Sequence, residues 1–266
     1  MIQPVAVEVL HALERVPSDS CGALVRHHAD GAMAGALLIE YGRVCWALSA
    51  RHARRFTDTL VAVQDTLTHA QLDELFLMCR RDRLPLGETL VASGLVSLSV
   101  LHRALLRHTC EALDCLLRDD ASPWSWIAHS GYGYHPMLTF SPAEVLAGVR
   151  AIASPTVAAR ALARLREVVR ADQRGFAIER HRGSKVPVAQ LHCEGMDLGA
   201  LADLATYAGD LMDVTATVGV EVALAQLGTL ACATWIEGSL LFVLLCDGEL
   251  AFNRLLAQTA MMTNKA

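Results

Sequence analysis

Apolar and polar positions alternate, lengthen to a helical period and then alternate again along this chain, and each change of period predicts a different kind of element. After a helix expected at about residues 4 to 15, the stretches CGALVRHH, GALLIE and RVCWALS are short apolar runs rich in β-formers. A turn at residues 29 to 34 and the pair Tyr41-Gly42 separate them, which predicts three strands in a tight meander. From about Arg54 to Leu117 the period becomes helical, interrupted at Pro85-Leu86-Gly87 and Ser93-Gly94. WSWIAH and HPMLTF then read as two short strands, and Ser141-Pro142 opens a helix to about Ile152, with proline in the favoured first turn. This is an α+β domain expected over residues 1 to 152, with a helical insert at about 54 to 117.

The second half, residues 153 to 266, has its own order. A helix from about Pro155 to Arg170 leads to GFAIERH, a turn at Arg182 to Lys185, VPVAQLHC and a helix from about Asp197 to Val214. VEVALAQL, TLACATWI and SLLFVLLC follow, and a last helix runs through Leu256, so the pattern is α-β-β-α-β-β-β-α. Leu240 to Cys246 is unbroken by any polar residue and is bounded by two short turns, Glu237-Gly238-Ser239 and Asp247-Gly248-Glu249. A membrane span needs about 20 apolar residues, so the run predicts a strand covered on both faces. Gly228, Gly238 and Gly248 fall at even intervals and suit tight hairpins.

The helix DLGALADLATYAGDLMDV has more apolar surface than one buried side requires. At about 100° per residue, Leu201, Ala205, Ala208 and Met212 form one stripe, and Ala200, Leu204, Tyr207, Leu211 and Val214 form a second roughly 110° away. Asp203, Thr206, Asp210 and Asp213 share the remaining side. The second stripe is covered either by another helix of the chain, such as SPTVAARALARL, or by a second copy. Ala200, Ala205, Ala208 and Gly209 would permit close approach in either case. In VEVALAQL, Val218, Val220, Val222 and Leu224 alternate with Thr217, Glu221 and Ala223, the pattern of a strand with one buried face.

Composition narrows the function classes. The chain has 266 residues, 53% of them apolar, and a formal net charge of −5. Its basic residues are scattered apart from short patches at Arg51 to Arg55 and Arg80 to Arg83, so no nucleic-acid footprint stands out. No leader-like or spanning segment is evident, so a cytoplasmic protein without a membrane partner is expected. The 8 cysteines are irregularly spaced and read as small core residues, reduced and unpaired.

No nucleophile elbow, P-loop or dinucleotide turn is present. GYGY, at Gly131 to Tyr134, has no helix directly after it to orient N–H groups toward a phosphate, and reads as a hairpin turn. The 11 histidines include none in a metal-binding spacing; His102 and His108 are about 240° apart around a helix. No catalytic residue, cofactor or metal is expected, and the chain reads as a non-enzyme.

Two resemblances to known families add to this. From about residue 155 to 262 the element order, lengths and turns resemble the Roadblock/dynein light-chain family, which implies a five-stranded antiparallel sheet between helices with VEVALAQL at its edge. GALLIEYGRVCWA resembles the hairpin of the PATAN family, with Gly35, Leu37, Ile39, Gly42, Arg43, Val44 and Ala47 at matching places. EALDCLLRDDASPWSW and SPAEVLAGVR resemble that family's Glu-Ala helix with its aromatic strand and its closing helix. LPLGETLVASGLVSLSVLHRALLRH is similar to a segment of secretion-ATPase N-terminal domains. Tyr41 and Ser122-Pro123 depart from the PATAN pattern in turns.

These resemblances imply a bacterial-type signalling adaptor that acts through protein contacts with a small Ras-like GTPase or a receiver-domain protein. They favour a homodimer whose interface is Ala200, Leu204, Tyr207, Leu211 and Val214, rimmed by Asp203, Asp210 and Asp213 for a partner. The alternatives are a structural scaffold of a larger complex and, more distantly, an uncharacterised enzyme or metal-dependent sensor.

Overall fold

The structure is a computed structural model and describes residues 9, 12–13, 15–119, 122–180, 187–193, 196, 198–216, 222–248 and 250–263. Most of the expected helix at 4 to 15, the turn at 182 to 185 and residues 217 to 221 lie outside them. The protein is mixed α+β, with a four-stranded and a five-stranded antiparallel sheet in two compact units, Ile2–Phe140 and Ser141–Ala266.

In the first unit the meander is present as β1 (Cys21–His27), β2 (Met33–Glu40) and β3 (Arg43–Ser49), and β4 (Ser125–Ala128) adds to the free side of β1, giving the order β3-β2-β1-β4. The β2–β3 turn places Tyr41 at φ 51° and Gly42 at φ 72°. Both central residues of a tight hairpin turn need that left-handed region, which glycine enters freely and tyrosine only against steric resistance. Four helices follow: α1 (Phe56–Val63), α2 (His69–Asp82), α3 (Leu86–Ala92) and α4 (Leu98–Leu117). They close on a core that includes Leu60, Leu72, Leu90 and Leu101. Gly35 lets β3 and α4 approach β2, since a Cβ there would lie 2.2 Å from the Leu48 carbonyl oxygen of β3 and 2.9 Å from Leu116 Cδ1 of α4.

HPMLTF is not the strand its pattern predicts. Pro136–Leu138 forms a single 3-10 turn, in which His135 Nδ1 accepts the Met137 N–H, and only Phe140 reaches the sheet, through one bridge to Val44. Proline has no N–H for a ladder, and the His135 cap bends the chain just where pairing would have to begin.

The second unit contains α5 (Pro142–Ala153), α6 (Pro155–Val168), β5 (Gln173–Glu179), β6 (Ala189–Leu191), α7 (Leu198–Ala216), β7 (Val222–Leu227), β8 (Leu230–Glu237), β9 (Leu240–Asp247) and α8 (Ala251–Thr263). From α6 onward this is the order read from the sequence. The sheet runs β6-β5-β9-β8-β7. β9 is its central strand and is buried from Leu240 through Cys246, which accounts for the unbroken apolar run. Ala161, Leu165 and Val168 of α6 and Ala251 and Leu255 of α8 pack with Trp235, Phe242 and Leu244 on one sheet face. α7 packs against β7, β8 and β9, and its buried residues have no part in that cluster, so it covers the other face.

The boundary between the units falls at 140/141 rather than at the expected 152/153. α5, expected to close the first domain, packs with β6, α6 and α7. Its start is set locally by a capping box, with Ser141 Oγ accepting from Glu144 N and the Glu144 carboxylate from Ser141 N. Its allegiance is set by tertiary contacts.

Candidate protein-interaction surface

On α7 the two sequence stripes meet different surroundings. Leu201, Ala205, Ala208 and Met212 are 0%, 3%, 1% and 2% exposed and face the sheet. In the second stripe Leu204 and Leu211 are only half-buried, Tyr207 is 39% exposed, Val214 is 69% exposed and Ala200 is exposed. The helix SPTVAARALARL cannot cover this stripe, because as α6 it packs on the opposite face of the sheet. The small residues divide as well: Ala205 and Ala208 are spent on the sheet, and Gly209 lies about 180° from the second stripe, with open space where a Cβ would be. Of the four small residues, Ala200 alone lies with the second stripe.

β7 ends the sheet, pairing only with β8 among the described residues. The sequence pattern suggests one buried face, yet Ala223 is 4% exposed while Val222 and Leu224 are half-buried against the α6–α8 core. The reason is that helices lie on both sides of the sheet, so neither face of β7 is open. Among the described residues its outer backbone edge pairs with no other strand, and α7 packs against β7, β8 and β9. An uncovered edge is a template for pairing with another strand.

Asp203, Asp210 and Asp213 are all exposed. Asp213 Oδ1 also accepts from Arg180 at 2.7 Å. Both partners remain solvent-accessible, so the pair contributes at most about 1 kcal/mol.

Elsewhere the chemistry-bearing residues are engaged in packing. His108 stacks on Trp46 with ring centroids 4.8 Å apart, and His102 packs on Phe140 at 4.9 Å, so the two histidines serve separate contacts. Among the described residues no group of three His, Cys, Asp or Glu side chains could hold a metal ion. Six of the eight cysteines are buried. Burial, reinforced by the Glu40 carboxylate, pushes the Cys45 thiol up to about 12. No described helix is long and apolar enough to cross a membrane.

GYGY forms a loop rather than a hairpin turn. The buried carboxylate of Glu40 accepts the backbone N–H groups of Tyr132 and Tyr134, the latter at 3.3 Å. The available sequence signal was a carboxylate closing the otherwise apolar strand GALLIE. Nothing local tied it to a loop more than ninety residues away.

No family model and no curated protein matches the sequence. Among solved structures, Myxococcus xanthus MglB is similar to it with a TM-score of 0.28 and 17% identity, over 40% of this chain and 90% of that one. A likeness of that degree leaves the fold to stand on its own strands and helices.

Proposed function

We infer that the chain is a non-enzymatic signalling adaptor whose second unit forms a homodimer through α7 and the β7 edge. The observation that carries this reading is the stripe Leu204, Tyr207 and Leu211, half-open on a helix whose other stripe already fills the sheet face. Burying such a stripe against its own copy removes apolar surface from water at about 25 cal/mol per Å², and a two-fold axis places the same patch on both sides. Val214 and Ala200 extend the stripe along the helix. The Roadblock resemblance of residues 155 to 262 and the PATAN resemblance of the first half support a regulatory role. They point to a small Ras-like GTPase or a receiver-domain protein as partner, with Asp203 and Asp210 as the acidic groups that would meet it.

The test is the oligomeric state of Leu204→Glu and Leu211→Glu by light scattering. A charge forced into an apolar interface costs several kcal/mol, so both variants become monomeric while circular dichroism stays that of the wild type. A wild-type monomer, or a folded variant that stays dimeric, overturns the interface.

A further inference from the structure

The first unit contains a cavity of about 400 Å³ between the β4 edge of its sheet and the segment before β1. Small-molecule pockets run from about 300 to 1,000 Å³, so this one holds one or two rings and is too small for a helix or strand of a partner.

Two tryptophans form its wall. Trp126 lies opposite Leu24 of β1 in the ladder. Its ring is seated over Gly22, where a Cβ would come within 2.5 Å of ring carbon Cζ2. Glycine at 22 is therefore what lets the indole lie flat along the sheet. Trp124 stands just ahead of β4, with the buried Arg26 guanidinium 5.5 Å from its ring centroid. Ala12 and Val16 supply the aliphatic side.

Among the described residues the polar features are few and of one sign. Arg15 is the charged residue of the lining, is exposed, and forms no ion pair among the described residues. Among the described residues no carboxylate contributes to the lining. The Trp124 indole N–H is buried and donates to no acceptor among the described residues. Flat aromatic walls select a planar apolar body, and a guanidinium at the rim selects a carboxylate.

We propose that this cavity, lined by Trp124, Trp126 and Arg15, binds a small planar aromatic carboxylate. The ring lies against Trp126 and the carboxylate reaches Arg15. The site is in the first unit and does not depend on the dimer or on any GTPase, so its success or failure is independent of the adaptor reading.

The experiment titrates the full chain with 1-naphthoate and with the neutral 1-naphthylmethanol, by calorimetry and saturation-transfer NMR. The expected result is one saturable site for the acid, with the alcohol weaker by roughly tenfold, the scale of one charge-assisted contact. Arg15→Gln changes an exposed side chain, so the fold is kept, and it lowers the acid to the level of the alcohol. Trp126→Ala abolishes both, and Ala12→Phe, which fills the void from the other wall, does the same if Trp126→Ala fails to fold. Absence of saturable binding, equal affinity for acid and alcohol, or acid binding unchanged by Arg15→Gln would overturn the proposal.

Discussion

Arg150 of α5 and Glu179, the last residue of β5, form an ion pair 2.7 Å apart with side chains 2% and 10% exposed. Arg150 is among the largest fully buried side chains of the protein. The pair explains why α5 belongs with the second unit: a guanidinium buried this deeply needs its carboxylate, and that carboxylate sits on the five-stranded sheet.

Removing either partner strands a buried charge, so Arg150→Met and Glu179→Leu are each expected to cost about 3–5 kcal/mol. The double variant should lose clearly less than the sum, because an apolar pair needs no compensation. Denaturant unfolding followed by Trp235, whose ring stacks on Phe242 at 5.1 Å in the same unit, reads this directly. Full additivity of the two losses would show that the pair is not coupled.

The boundary has its own consequence. A fragment of residues 141 to 266 keeps α5 and the Arg150–Glu179 pair and should unfold cooperatively. One beginning at residue 154 should be less stable by several kcal/mol. Equal stability of the two fragments would place α5 outside the unit.

His108 links stability of the first unit to pH. Burial pulls its pKa down to about 4 from the ordinary 6.5, helped by the charges of His52 and Arg54 and opposed by Glu111. The unfolded chain therefore binds a proton that the folded one refuses. The stabilisation is complete above pH 6.5 and falls as pH drops toward 4, by up to about 1.4 kcal/mol per pH unit. The emission of Trp46, stacked on the His108 ring, should report unfolding at lower urea at pH 5 than at pH 7.5. In His108→Leu that pH slope should shrink, and an unchanged slope would assign it to another group.

At Gly35, replacement by alanine forces β2 and β3 to shift, since the Leu48 carbonyl of β3 cannot yield as a flexible side chain would. Gly35→Ala is expected to destabilise the first unit by about 1–3 kcal/mol, measured by the same Trp46 emission. A neutral substitution would mean that the β2–β3 pairing at Gly35 is loose enough to take a methyl group.

If a small Ras-like GTPase from the same genome binds the second unit, Asp203→Lys and Asp210→Lys should slow association, most at low salt, and leave the dimer intact. Exposed rim charges act on encounter more than on the final complex. Asp213→Lys should also weaken the end of α7 slightly, because it removes the Arg180 contact. Surface-binding kinetics against GTP- and GDP-loaded forms decide this, and no binding to either form leaves the scaffold reading in front.

Periodicity and turn residues made the element order from α6 onward legible, with β9 covered on both faces and the two stripes of α7, because burial on one or both sides of an element leaves its imprint every two or every 3.6 residues. The meander of the first unit was legible through its turn residues Tyr41 and Gly42, and the break before α3 through Pro85. Tertiary structure decided what those local patterns cannot encode. α5 begins at the same capping box whichever unit it joins, and Arg150 chose the sheet of the second. Glu40 ends β2 like any carboxylate at a strand end until the Tyr132 and Tyr134 N–H groups arrive from far along the chain. Period puts Ala205 and Ala208 in one stripe of α7 and Ala200 in the other, but only the packing shows that the sheet consumes the first stripe and leaves Ala200 exposed. A residue's period reports how many of its sides are covered, whereas the partner that covers each side is set by register and packing between segments distant in sequence.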